Sequence, residues 1–263
     1  MSVNSHLTQL ASNLVLSDGE KSGITTSINT LSVRLNAYFG SNISNHFQFG
    51  SSTRGTILPR KADSKSDIDY MVVFNTSIDG TKKPQTYLDR LRKFTETKYS
   101  TSEISQSHPT IVLSLNHIKF ELVPTLYNYS YQIPSPASSF SEWIYTDPTG
   151  TNQSIQDKNK AENFQIKPLV RLVKYWNATQ GYPFTSFSIE QYIVGKYFGS
   201  CTTLKDYFYA FWSDFGCSYS TSQTTKDKVE RAKRYAANAK KYENDNMPAF
   251  AEAEIKKIIP ILL

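Results

Sequence analysis

Apolar residues recur at helical spacing between Gly19 and Phe39, where Ile24, Ile28, Leu31, Leu35, Tyr38 and Phe39 form one stripe and Gly40 stands at the C-cap position. The pattern predicts a long amphipathic helix. A short apolar run, His46 to Phe49, leads into Gly50-Ser51, and Asp67 to Phe74 reads as a β-branched and aromatic strand. Pro84 opens a helix through Tyr99 with Tyr87, Leu88, Leu91 and Phe94 as its apolar stripe. Ile111 to Leu115 and Ile118 to Val123 are separated by Asn116-His117, which predicts a tight hairpin with Asn116 in the unusual backbone region and Pro124 closing the second strand.

From Tyr131 to Asn159 the chain turns to Ser, Pro, Thr, Asn and Gln, so an irregular crossing is expected there. Helical periodicity follows over Phe164–Ala178, starting or kinking at Pro168, then over Ser186–Phe198, Leu204–Phe215, Thr224–Asn244 and Ala249–Ile259. The order is mixed α and β, then all α. It predicts an α/β (α+β) core with N-terminal helices over residues 1–155 and a helical lobe over residues 156–263.

Composition narrows the setting. The chain has 263 residues, enough to bury a sizeable core without staples. Cys201 and Cys217 are its two cysteines, which excludes a disulfide framework and any four-cysteine zinc site and suits a reducing, cytoplasmic compartment. The N-terminal residues show no signal pattern, and no apolar run approaches the roughly 18 residues of a membrane span, so no membrane partner is expected. A net charge of +6 favours anionic partners such as triphosphates or nucleic acid.

The candidate chemistry starts at Asp67-Ile68-Asp69. On a strand the period of two sets both carboxylates on one face, their β-carbons about 7 Å apart, where they can share a hard cation such as Mg²⁺. Alone, this pattern also suits a solvated strand entrance. Glu121, between apolar Phe120 and Leu122, supplies a third acid, and three carboxylates around one point suit two-metal chemistry with ions about 4 Å apart. In Gly50-Ser51-Ser52-Thr53-Arg54-Gly55-Thr56, glycine permits close backbone approach to phosphate, Ser51 donates, a short helix start attracts anions, and Arg54 adds a planar cationic fork.

Together these parts resemble the polymerase-β-like nucleotidyltransferase superfamily. Phe49-Gly-Ser-Ser-Thr-Arg-Gly-Thr56, Asp67-Ile-Asp69, Lys119-Phe-Glu-Leu-Val-Pro124, Trp143 with Thr146-Asp-Pro148, Leu169-Val-Arg-Leu-Val-Lys-Tyr-Trp176 and Ser186-Phe-Ser-Ile-Glu190 are similar to bacterial cyclic-oligonucleotide synthases of anti-phage signalling. These are the CD-NTases, relatives of animal cyclic GMP-AMP synthase and oligoadenylate synthase. The third acid here is Glu where that family often has Asp, which lengthens its reach.

The resemblance implies a nucleotidyltransferase lobe followed by a helical lobe, with the active site in the cleft between them. It implies Asp67, Asp69 and Glu121 as catalytic ligands of a pair of Mg²⁺ ions, with Mn²⁺ as a substitute. Gly50, Ser51 and Arg54 would cradle phosphates, Lys174 would contact the donor triphosphate, Ser186 would bond its phosphates, and Phe187 would stack on a base. The plainer alternatives are a solvated helix face for Lys174 and core packing for Phe187.

The expected substrates are nucleoside triphosphates as both donor and acceptor, joined into a short cyclic second messenger with release of pyrophosphate. Two rivals remain open: a nucleotidyltransferase that modifies an RNA 3′ end or a protein, and a silent nucleotide or RNA sensor. The basic run Lys226, Lys228, Arg231, Lys233, Arg234, Lys240 and Lys241 can bind nucleic acid, but interspersed acids favour a solvated amphipathic helix, so nucleic acid is not a required partner.

Overall fold

The computed structural model describes residues 2–107, 109–136 and 142–262, and its chain contacts divide it into two compact units. Each unit is discontinuous in sequence. The first comprises Ser17–Ile57 and Lys65–Asn152, and the second Met1–Leu16, Leu58–Ser64 and Gln153–Leu263. Composition predicts a single division at residue 155, whereas the first sixteen residues and the short segment after Ile57 belong with the later helices. The reason is packing: the N-terminal helix buries its apolar face against those helices, a pairing that local sequence does not reveal.

The sheet unit holds α2 (Asp18–Phe39), a 3-10 turn at Gly40–Asn42, β1 (Ile43–Phe49), α3 (Ser51–Arg54), β2 (Asp67–Phe74), α4 (Thr76–Asp79) and α5 (Pro84–Lys98). It continues with β3 (Glu103–Ser107), β4 (Thr110–Ser114), β5 (Lys119–Asn128), β6 (Ser130–Pro134) and β7 (Trp143–Thr146). Ser17 and Glu20 form a capping box that starts α2, and Pro84 occupies the first turn of α5, where its missing N–H costs nothing.

The strands run in the order β1-β2-β5-β4-β3, with β6 added to the far end of β5 and β7 to β6. β2 and β5 pair in parallel, and the other recorded pairs are antiparallel. Phe39 of α2 meets Phe74 of β2 edge-on at 5.5 Å and Phe94 of α5 at 5.6 Å, while Phe74 meets Tyr87 at 4.7 Å. Leu31, Leu35, Leu88, Leu91 and Phe94 are fully buried beside them. The apolar stripes read along α2 and α5 therefore cover one sheet face, the face that carries Phe74.

The hairpin forms where expected, with differences in detail. Asn116 keeps a negative φ, because the connection closes through a bond from the Leu115 N–H to the Ile118 carbonyl at 2.8 Å and needs no left-handed residue. Pro124 does not end the strand. β5 runs on to Asn128, and pairing with β4 stops at Leu122, so that side of Pro124 requires no donor. The segment expected to be irregular contains β6, β7 and a helix, with residues 137–141 outside the described residues. Few side chains of its strands and helix are fully buried, so the segment carries little of the apolar periodicity that marks a core-facing element.

The helical unit contains α1 (Val3–Asn13), α6 (Pro148–Ala161, within which the division falls), α7 (Ile166–Thr179), α8 (Ser186–Gly195), α9 (Leu204–Asp214), α10 (Gln223–Asn244) and α11 (Pro248–Ile258). Helix α7 is its centre: Leu169, Val170, Leu172, Val173 and Trp176 are all at most 1% exposed. Its apolar face is wide, and Lys167, Arg171 and Lys174 recur at helical spacing on the remaining side. Trp176 packs edge-on against Trp212 of α9 at 4.8 Å, and Val3, Leu7 and Leu14 at the chain start join the same core. Pro168 lies in the first turn of α7 and begins the helix without a kink. Among the described residues no helix is long and apolar enough to cross a membrane.

Removing Phe94, 0% exposed at the meeting of α2, α5 and β2, is expected to cost about 3–5 kcal/mol, whereas Val33→Ala at a 69% exposed position of α2 should stay within about 0.5 kcal/mol. Urea denaturation of both variants followed by circular dichroism measures the difference.

Candidate active site

Asp67, Asp69 and Glu121 are brought to one place by strand register. β2 and β5 pair in parallel with Asp67 beside Lys119 and Asp69 beside Glu121. Neighbours in register on a sheet share a face, about 4.8 Å apart across the strands. Ile68, Tyr70, Val72 and Phe74 occupy the face covered by α2 and α5, so by the period of two the three acids occupy the opposite face. All three are partly buried, flanked by fully buried Ile68, Phe120 and Leu122.

Like charges this close raise one another's proton affinity. The Glu121 carboxyl is pushed up to about 7, first by burial, then by the charges of Asp67 and Asp69 and by its hydrogen bond to Asp67; a bond donated by the Thr110 hydroxyl at 3.4 Å opposes the shift. Thr110, 4% exposed at the start of β4, had no signal in the sequence. Among the described residues no group of three His, Cys, Asp or Glu side chains is arranged to hold a metal ion as it stands. Carboxylate oxygens crowded on one face, whose mutual repulsion raises the Glu121 carboxyl, fit Mg²⁺ or Mn²⁺ in charge and donor type.

Gly50 is fixed by the same acids. Phe49 pairs with Asp69 across β1 and β2, and a β-carbon at position 50 would lie 1.8 Å from Asp69 Oδ2. With φ of 76°, this position excludes side chains on both counts. The loop that follows is held locally: Thr53 Oγ1 donates to the Gly50 carbonyl at 2.9 Å, and the Thr56 and Ile57 amides donate to the Ser51 carbonyl at 3.0 and 3.1 Å. α3 is a single turn closed by Gly55 in the left-handed region, so anion attraction would come from Ser51 and the loop amides more than from a helix dipole. Arg54 is 7% exposed and engaged in interactions within the protein, which sets its charge inside the loop.

The remaining candidates lie in the helical unit. Lys174 on α7 is 4% exposed, so the solvated-face alternative does not hold. Its Nζ stands 3.6 Å from Glu190 Oε1 of α8. Ser186 opens α8 after the Thr185 N-cap, and Phe187 beside it is 53% exposed, which removes the core alternative for that ring. The basic residues of α10 are partly spent within the unit: Lys228 bonds the Gln180 carbonyl at 2.6 Å, Lys226 the Tyr219 carbonyl at 2.9 Å, and Lys233 pairs with Glu230 at 3.5 Å. Val229, Ala232, Ala236 and Ala239 form the buried stripe, as an amphipathic helix requires.

Residues 1–159 match the family of the Second Messenger Oligonucleotide or Dinucleotide Synthetase domain, SMODS. The chain belongs to this family. SMODS membership makes it a nucleotidyltransferase of the class that synthesises oligonucleotide second messengers. Comparison with curated protein sequences gives no match. Among solved structures the chain is similar to CdnC of E. coli MS115-1 with ATP, at 16% identity and a TM-score of 0.74 over 100% of this chain and 98% of that one.

It is also similar to the Vibrio cholerae cyclic AMP-GMP synthase DncV, at 12% identity and a TM-score of 0.73 over 96% of this chain and 93% of that one. Bradyrhizobium diazoefficiens CdnG in complex with GTP gives 10% identity and a TM-score of 0.69 over 96% and 97%. The SMODS chain thus has the fold of the bacterial CD-NTases, a β-sheet nucleotidyltransferase lobe and a helical lobe, as the motifs imply.

Two outcomes follow for the acidic face. The folded Glu121 holds its proton more tightly than the unfolded chain does, so its contribution to stability is complete below about pH 4.5 and is lost as the pH rises through about 7. In metal-free buffer Glu121→Gln should therefore match the wild type near pH 4.5 and exceed it by roughly 1–3 kcal/mol above pH 7, read as the difference between their denaturation midpoints. Gly50→Ala should lower kcat at least about 100-fold by displacing Asp69, while costing only about 1–2 kcal/mol of stability. Steady-state kinetics and thermal melting of one preparation separate the two effects.

Proposed function

We propose that this SMODS protein is a Mg²⁺-dependent synthase, with Mn²⁺ as a substitute, that joins ribonucleoside triphosphates into a short cyclic oligonucleotide and releases pyrophosphate. Its product would serve as a second messenger in anti-phage signalling in the cytoplasm. The observation that carries this reading is the register that sets Asp69 beside Glu121, with Asp67 on the same face and Gly50 closed down on Asp69.

Asp67, Asp69 and Glu121 would hold the ions, which when bound supply charge neutralisation at the attacking hydroxyl and the departing pyrophosphate. The acceptor oxygen bonds to the α-phosphorus of the donor as the bridge to the β-phosphate breaks, and the hydroxyl proton leaves to solvent. Gly50 lets the loop backbone approach the phosphates, Ser51 donates to them, and Arg54 and Lys174 oppose their charge. Ser186 adds a donor, and the exposed ring of Phe187 offers a base a stacking surface of about 1–3 kcal/mol. Relatives have been solved with ATP, with GTP and, for DncV, with the linear intermediate 5′ pppA(3′,5′)pG, which supports free nucleotides as donor and acceptor.

The experiment is mass spectrometry of products from the four ribonucleoside triphosphates with Mg²⁺ or Mn²⁺ and no added nucleic acid, alongside pyrophosphate release. A phosphatase-resistant small product is expected from the wild type and none from Asp69→Asn, which should melt no lower than the wild type without metal. Label that enters only transfer RNA or protein would establish macromolecule modification, and pyrophosphate release by Asp69→Asn at the wild-type rate would overturn the metal assignment.

A further inference from the structure

Glu190 is the most deeply buried acid among the described residues, 1% exposed, and no role has been given to it so far. It lies one helical turn after Ser186 on α8, so the two share a helix face. Across from it stands Lys174 of α7, with Nζ to Oε1 at 3.6 Å and side-chain exposures of 5% and 2%. The neighbours of Lys174 along α7 are Leu172, Val173, Tyr175 and Trp176, all buried.

A buried ion pair of this kind is a poor stabiliser. Both charges lose their hydration, and apolar side chains of similar volume commonly serve a core as well or better. The bundle therefore gains little from an ammonium and a carboxylate at its central helix. The separation adds to the point, because 3.6 Å exceeds the roughly 2.7–2.9 Å of a charge-assisted hydrogen bond. Glu190 stands to Lys174 as a countercharge at a distance, which fixes where the ammonium sits.

We propose that Glu190 is a positioning residue for nucleotidyl transfer: its carboxylate holds the Lys174 ammonium on the α8 face that carries Ser186, where the ammonium meets the phosphate oxygens of the donor ribonucleoside triphosphate. This rests on the reading of Lys174 as a donor-phosphate contact. Glu190 touches no substrate itself, and its effect passes through the lysine.

Isothermal titration of each of the four ribonucleoside triphosphates in Mg²⁺ buffer, with initial rates, tests the assignment on Lys174→Ala, Glu190→Gln, Glu190→Asp and the Lys174→Ala/Glu190→Gln pair. The Kd of the tightest triphosphate should rise about tenfold in both Lys174→Ala and Glu190→Gln, with a smaller change in kcat, and the double variant should bind no more weakly than Lys174→Ala. Glu190→Asp should recover most of the affinity. Because breaking one side of a buried pair can unfold the bundle, the apolar pair Lys174→Met/Glu190→Leu provides a folded reference, expected to melt at or above the wild type and to bind as weakly as Lys174→Ala.

A lower melting temperature with unchanged Kd in Glu190→Gln, or losses that simply add in the double variant, would overturn the proposal and leave Glu190 a structural residue. An unchanged Kd in Lys174→Ala or in the apolar pair would remove the donor contact of Lys174 itself. That outcome is distinguishable, because the wild type would still bind and turn over triphosphate.

Discussion

Carboxylates set side by side on paired strands repel each other, and the parallel register of β2 and β5 enforces that contact at Asp69 and Glu121. The sheet tolerates it because the opposite face is well packed, through Phe39, Phe74, Phe94 and Tyr87, and because the raised Glu121 carboxyl can relieve the repulsion by taking up a proton. The strain is local and has a direction. Under the proposed function a divalent cation would relieve it, and the crowding that burdens the free protein would favour the charge that a metal ion brings. Gly50 belongs to the same arrangement, since only a residue without a side chain lets β1 turn into the loop beside Asp69.

The helical unit uses its charge in a different way. Its acidic and basic groups mostly meet at the surface, as along α10, but Lys174 and Glu190 meet in the interior of α7 and α8. Burial there spends stability to fix a position. Polar Ser186 and exposed Phe187 stand at the start of the same helix, so α8 gathers the features that a nucleotide's phosphates and base would require.

How much of this was legible in the chain depends on whether the signal was local. The limits of β2 and the positions of α2 and α5 follow from period and punctuation, because each element faces a core on one side and alternates accordingly. The D-x-D pair and the Gly-Ser loop were readable for the same reason. The pairing of Asp69 with Glu121 was not, since parallel strands far apart in sequence carry no mark of their register. β3 and β6 escaped notice because polar residues interrupt their apolar ones, and β7, though aromatic and β-branched, because it is only four residues long and none of its side chains is fully buried. The burial of Lys174 was not readable, because a lysine beside Leu172 and Tyr175 gives no sign of whether its side chain faces inward, and no role was read for Glu190 because nothing local announces a partner on another helix.

The interrupted composition of the helical unit bears on how the protein is made. Val3, Leu7, Leu10 and Leu14 precede the sheet unit along the chain, yet their packing partners on α7, α9 and α11 follow it. The sheet unit can close as soon as β7 has emerged, while the apolar stripe of α1 stays uncovered until α7 follows. A fragment ending near the limit of the family match at residue 159 would retain that stripe without α7 to cover it, so expressing the nucleotidyltransferase part alone invites aggregation even though its sheet is complete.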